Sequence, residues 1–262
     1  MKVWNGTAFV DPTAFKVWNG SAFVDPELYT WNGTSFDKIW PSTPAPTVQY
    51  VGGTSIGSSG SPSLGVTAGT EVGDRVFGLL VSNSSAIGGW DAPAGWTTVN
   101  SSGQRVIAYR DFDGSWSNAQ WGFSGNSRGL RVYHFTLRRS HPSYSWKTPT
   151  VSAQASDSTS DTSFSLSTSG FTVDPASCLI GLARLNADRT TGGSALVVNG
   201  QSSFTVENSH QVPKGSSDDG PVRAAYILKT SPNPGSGTIT WTTTLSGAAT
   251  ASGVFIQQAI DV

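Results

Sequence analysis

An all-β fold is predicted, with short β-hairpin repeats at the N-terminus followed by a single antiparallel, jelly-roll-like β-sandwich. Three observations carry the prediction. Ser, Thr, Gly, Val and aromatic residues dominate, whereas strong helix formers are scarce, Glu occurring only as Glu27, Glu71 and Glu207. Short alternating or continuous apolar runs recur between Gly, Pro, Ser and Asp clusters over residues 48–262, a length that can bury a sizeable core. Finally, the phrase KVWNGTAFVDP from Lys2 returns as KVWNGSAFVDP from Lys16 and, shortened, as YTWNGTSFDKIWP from Tyr29.

The repeats occupy residues 1–40. In each, Asn-Gly sits between β-formers, the signal for a two-residue type I′ turn, whose central positions both need positive φ. With Asn5-Gly6 as the turn, Trp4 lies opposite Thr7, Val3 opposite Ala8 and Lys2 opposite Phe9. Trp4 and Phe9 then share one face as diagonal neighbours, as do Trp18 with Phe23 and Trp31 with Phe36. A lone two-stranded hairpin is marginal in water, and the 13- to 14-residue repeat is shorter than the roughly 20–50 residues of solenoid or propeller units. These six aromatic residues, with Trp40, are therefore the expected attachment or oligomerisation surface. Residues 41–47 follow, with Pro41, Pro44 and Pro46 favouring an extended, semi-rigid linker.

Within 48–262 the candidate strands are SLGV (63–66), RVFGLLVS (75–82), WTTVN (96–100), RVIAYRDF (105–112), AQWGFSG (119–125) and LRVYHFTL (130–137). They continue with TSFSLSTS (162–169), ASCLIGLARL (176–185), SFTVENSH (203–210), VRAAYILKT (222–230), GTITWTTTL (237–245) and ASGVFIQQAI (251–260). Many short strands without an amphipathic helix argue for two antiparallel sheets packed as a sandwich. RVFGLLVS and SCLIGLARL are nearly continuous apolar runs and belong at sheet centres, whereas GTITWTTTL alternates and suits a half-exposed strand. His134 should face away from Tyr133 and Phe135 as a satisfied strand histidine, and Arg138 and Arg139 should form a solvated strand end.

Few residues are suited to chemistry. A net charge of -1 and a pI near 6.3 give no electrostatic footprint for nucleic acid. The one cysteine, Cys178, lies in a buried-strand pattern, and with three histidines it cannot build a thiolate zinc site. No H-E-x-x-H or P-loop pattern occurs, so no enzymatic activity, catalytic residue, metal site or cofactor is expected. His141 and His210 fall in loop-like stretches without a second ligand at metal spacing. DFDG (Asp111, Asp113) and SDDG (Asp218, Asp219) read as turns because the further oxygens of a calcium loop are missing.

Ten tryptophans are a stronger clue. Trp90, Trp116 and Trp146 sit in turn-rich contexts from which indoles can stack on sugars, while Trp96 in PAGW reads as a plug for the core. No apolar leader and no run of about 18 apolar residues is present, so a soluble protein made in the cytoplasm, without membrane insertion, is expected.

The string VGDRVFGLLVSNSSAIGGWDAPAGWTTVNSSGQRVIAYRDF, followed by WGFSGNSRGLRVYHFTL, resembles a β-sandwich domain recurrent in tail, fibre and other surface proteins of long-tailed bacteriophages. Gly73-Asp74, the turn Pro93-Ala94-Gly95-Trp96 and Tyr109-Arg110 match its pattern. GTITWTTTLSGAATASGVFIQQAI resembles its closing pair of strands, and the KVWNGTAFV repeats resemble those in minor tail proteins of phages infecting actinobacteria. The resemblance implies a non-enzymatic virion protein, on tail or capsid, assembled in the host cytoplasm. It also implies other virion proteins as partners and homo-oligomerisation, for instance as a trimer. A minor tail or fibre-like protein is the leading expectation. Capsid decoration and a host-glycan adhesin using Trp90, Trp116 and Trp146 remain alternatives.

Overall fold

The computed structural model describes residues 3–4, 6–10, 16–24, 26–40, 46–58, 62–82, 90–102, 105–123, 130–187, 189, 191–198, 208–211, 223–230 and 235–261. The linker prolines Pro41 and Pro44, and Asp218 and Asp219, lie outside this set. Two compact units make up the chain, Met1–Ala45 and Pro46–Val262.

In the first unit, β1 (Val3–Trp4) pairs with β2 (Phe9–Val10), β3 (Val17–Trp18) with β4 (Phe23–Val24), and β5 (Leu28–Trp31) with β6 (Phe36–Trp40). Each pair is its own antiparallel two-stranded sheet.

The second unit is also all-β and antiparallel. Its strands are β7 (Val48–Ser58), β8 (Ser63–Gly65), β9 (Arg75–Ser82), β10 (Trp90–Asp91), β11 (Thr97–Ser102), β12 (Arg105–Asp111), β13 (Asn118–Gln120), β14 (Gly122–Phe123) and β15 (Leu130–Arg139). After these come β16 (Ser145–Trp146), β17 (Thr150–Val151), β18 (Ala155–Val173), β19 (Ser177–Leu185), β20 (Thr191–Val198), β21 (Asn208–Gln211), β22 (Arg223–Thr230) and β23 (Gly235–Asp261). One sheet runs β11-β12-β9-β15-β7; the other runs β16-β23-β19-β22-β21, with β17, β18 and β20 also paired to β23. The two continuous apolar runs, β9 and β19, are the middle strands of these orders, where both faces of a strand are covered.

Strand alternation distributes the buried side chains over three layers. Phe77, Leu79 and Val81 of β9 meet Cys178, Ile180 and Leu182 of β19 and Ile256 of β23 between the sheets. On the outer face of the first sheet, Leu80, Val106, Ala108 and Val132 are covered by Trp121 and Leu64, with Trp96 packed against them. A further core lies on the far face of the second sheet. There Leu179, Leu185 and Phe255 pack with Phe164, Leu166, Leu196, Ile239 and Trp241. Odd-numbered residues from both ends of β23, such as Ile239, Trp241, Ala251 and Phe255, enter this one cluster. A strand of 27 residues would span about 90 Å if straight; sharing one cluster requires it to curl, with its odd side chains inside.

Several sequence expectations are corrected. GTITWTTTL and ASGVFIQQAI belong to one strand, β23, rather than to a closing pair. Its N-terminal half does alternate between buried and exposed positions, as expected for a half-exposed strand. The Gly-rich stretch at 48–58 was not among the predicted strands, yet β7 pairs along β15. Gly53 fits there because a Cβ would collide with the hydroxyl of Tyr133 on the facing strand. Arg138 and Arg139 are not a solvated end. Arg138 donates to both carboxylate oxygens of buried Asp74, at 2.9 and 2.8 Å, and to the Gly69 carbonyl. Arg139 donates to the carbonyls of Gly73 and Tyr144. Together they fasten the Gly73-Asp74 turn, whose glycine has φ +94°.

Candidate functional site

The hairpins differ from a two-residue turn in a way that places their aromatic rings. Strand pairing ends at Trp18↔Phe23, so Asn19, Gly20, Ser21 and Ala22 all belong to the loop. Asn19 Oδ1 accepts from the backbone N–H groups of Ser21 and Ala22, both at 2.9 Å, and from the Ser21 hydroxyl at 3.0 Å. Asn32 repeats the pattern with Thr34 and Ser35, at 2.8 Å to each N–H. The glycines take φ +102°, +103° and +104° at Gly6, Gly20 and Gly33, which L-residues rarely adopt. Asparagine is thus a side-chain acceptor for the loop instead of the first residue of a type I′ turn.

The expected pairing of Trp4 with Thr7 is therefore replaced by Trp4↔Phe9, a slip of two residues. Side chains alternate with period two, so a two-residue slip keeps Trp and Phe on one face and makes them direct rather than diagonal neighbours. Asn19 N–H donates to the Ala22 carbonyl and Asn32 N–H to that of Ser35, each at 3.0 Å. Trp18↔Phe23 and Trp31↔Phe36 are consequently the non-hydrogen-bonded pairs, where facing side chains approach most closely. Their ring centroids are 5.3 and 5.1 Å apart, tilted by 60° and 57°.

These rings are open to solvent: Trp18 is 58% exposed, Phe23 69%, Trp31 56% and Phe36 69%. Tyr29, half exposed and two residues before Trp31 on β5, joins the third face, with its hydroxyl donating to Glu27 Oε2 at 2.7 Å. Its i, i+2 spacing from Trp31 is the sequence signal that places Tyr29 on this face. Trp40 lies opposite Leu28 across a register irregularity. Trp4, Phe9 and Trp40 are placed by strand register, and their side chains lie outside the described set.

The sandwich tryptophans are arranged differently. Trp146 packs against the inter-sheet core, its Nε1 donating to the Gly73 carbonyl at 3.0 Å. The guanidinium groups of Arg75 and Arg139 lie over its ring. Trp116 sits edge-on to Trp96 and Phe112, beneath Arg110. Since Trp96 covers the outer face of the first sheet, Trp116 and Trp146 serve opposite faces of it and form no joint platform. The side chain of Trp90 lies outside the described set.

On that outer face, buried His134 accepts the Trp121 Nε1–H at Nε2, 2.9 Å, and its Nδ1 lies 3.0 Å from the Gly65 carbonyl. An indole can only donate, so Nε2 carries no proton and Nδ1–H donates to Gly65. Burial holds the imidazole neutral and pushes its pKa down to about 4, against a smaller upward pull from the Gly65 bond. This is a packing device, as its position opposite to Tyr133 and Phe135 suggested.

Carboxylates elsewhere shape turns. Asp113 accepts from the Ser115 hydroxyl and N–H and from Arg110, which pull its pKa down to about 2. An open recess of about 440 Å³ is lined by Asp157, Asp161, Ser163, Ser165, Thr242 and Thr244, among others. Both of its aspartates accept neighbouring backbone N–H groups. Among the described residues, no three His, Cys, Asp or Glu side chains gather as a metal site, and no helix is long and apolar enough to cross a membrane.

No protein-family model, curated protein or solved structure matches this chain.

Proposed function

We propose that this chain is a non-enzymatic structural component of a tailed-phage virion, a minor tail or fibre-like protein. Its N-terminal hairpins attach it, and its β-rich second unit faces outward. The observation that carries this reading is the repeated, solvent-exposed Trp–Phe pair. Large apolar side chains presented at regular spacing on units with almost no core of their own suit an element that becomes buried in an assembly. The resemblance of residues 72–137 and of the repeats to phage surface proteins supplies the kind of assembly.

Deletion of residues 1–40 is expected to abolish incorporation into particles while leaving the second unit folded; normal incorporation of the truncated chain would overturn the attachment role. Labelling the protein on intact particles separates a tail position from capsid decoration, which the same architecture would serve equally. A glycan-adhesin role draws no support from Trp116 and Trp146, whose rings are engaged in packing.

A further inference from the structure

We infer that the aromatic hairpin faces are covered by the same segment of another copy of this chain. The inference rests on the attachment reading only in treating the segment as an interface. Among the described residues each hairpin is a separate two-stranded sheet, so strand pairing extends neither face into a larger one. With Trp18 and Trp31 at 58% and 56% exposure and Phe23 and Phe36 at 69%, the second and the third hairpin each leave about 250 Å² of aromatic surface open, taking ~200 Å² per side chain. Together these two faces open about 500 Å², more than half of the ~800 Å² per partner of a standard interface.

The chemistry points to self-pairing. In the second and third hairpins an uncharged Trp stands beside an uncharged Phe, directly cross-strand and tilted by about 60°. Two such faces are self-complementary, because the Trp of one copy can lie on the Phe of the other and the reverse. The spacing adds a second reason. Trp4, Trp18 and Trp31 recur after 14 and 13 residues, and a second copy presents the same faces at the same intervals. Once one pair has met, the next is held at high effective concentration, so three weak contacts act together. A partner without that period could use one face at a time.

The test is analytical ultracentrifugation of the full chain over a range of concentrations, beside the variant Trp18→Ser, Phe23→Ser, Trp31→Ser, Phe36→Ser. The wild-type chain is expected to sediment as two or more copies. The variant should dissociate at about a hundredfold higher concentration, tenfold for each hairpin that loses roughly 1.4 kcal/mol of contact. The variant's near-ultraviolet circular dichroism from the second unit serves as the control for folding. A monomeric wild-type chain would overturn the inference, as would a variant that associates as strongly as the wild type. A monomer that still enters particles would assign the faces to a different virion protein, and a monomer whose binding to host envelope glycan is lost in the variant would assign them to sugar. Association without entry into particles would support self-pairing and count against the attachment role alone.

Discussion

His134 shows how one buried side chain couples the fold to pH. Its imidazole must stay neutral to accept the Trp121 N–H, and its folded pKa of about 4 lies below the ordinary 6.5. As pH falls from 6.5 to 4, the unfolded chain takes up a proton that the folded chain refuses, so stability declines across that window. The loss approaches ~3 kcal/mol at the acid end, at about 1.4 kcal/mol per pH unit. His134→Gln can keep an acceptor for Trp121 and a donor for Gly65. It is expected to flatten the difference in denaturation midpoint between pH 6.5 and 4; an unchanged slope would remove His134 as its source. Two buried indoles offer a second contrast. Trp121 has its acceptor, whereas Trp241 Nε1 finds none among the described residues. Trp121→Phe should therefore cost about 2 kcal/mol more than Trp241→Phe, because only the former strips a partner from a buried polar group. Urea denaturation of both variants gives the comparison.

Strands and hairpins carry their own lessons. Gly78 lies in the middle of the apolar run of β9, where a side chain would ordinarily favour the strand. It pairs with His134 on β15, and a Cβ there would run into the indole of Trp121. Gly78→Ala should destabilise the second unit by about 2 kcal/mol through overpacking and redshift tryptophan emission as Trp121 is displaced. In the hairpins, Asn19→Ala removes the acceptor for two loop N–H groups. Nuclear Overhauser contacts between the Trp18 and Phe23 rings should weaken in that variant, while those between Trp31 and Phe36 persist. Strong Trp18–Ser21 cross-strand contacts in the wild-type chain would instead restore the two-residue turn. Asn-Gly marked each hairpin correctly in the sequence, but the amide side chain could act as turn residue or as loop acceptor, and only its hydrogen bonds distinguish the two.

Across the molecule, Cys178 reports on how the two sheets hold together. It is fully buried between them and is the sole cysteine of the chain. Thiol labelling should be undetectable under native conditions and should follow the opening of the inter-sheet core, tracking global unfolding in denaturant. Fast labelling of the native protein would mean that the sheets separate without unfolding. The layered arrangement also explains why tryptophans in similar turn-rich contexts differ so much. Trp121 is completely buried, Trp116 and Trp146 are half-buried, and Trp18 and Trp31 are open, according to whether a sheet lies beneath them.

Local rules accounted for the all-β class, the central places of β9 and β19, the outward turn of His134, the burial of Cys178 and the shared face of each Trp–Phe pair. These follow from periodicity and composition, which act over a few neighbouring residues. Tertiary structure decided the rest: the two-residue slip of the hairpins, β7 as a strand despite its glycines, the continuity of β23 and the fastening of Asp74 by Arg138. Each depends on a partner distant in sequence or on a choice between nearly equivalent local bonds. Gly53 illustrates the difference, since its isolated sequence signal is flexibility, and only the Tyr133 hydroxyl across the sheet makes the missing side chain a requirement of the fold.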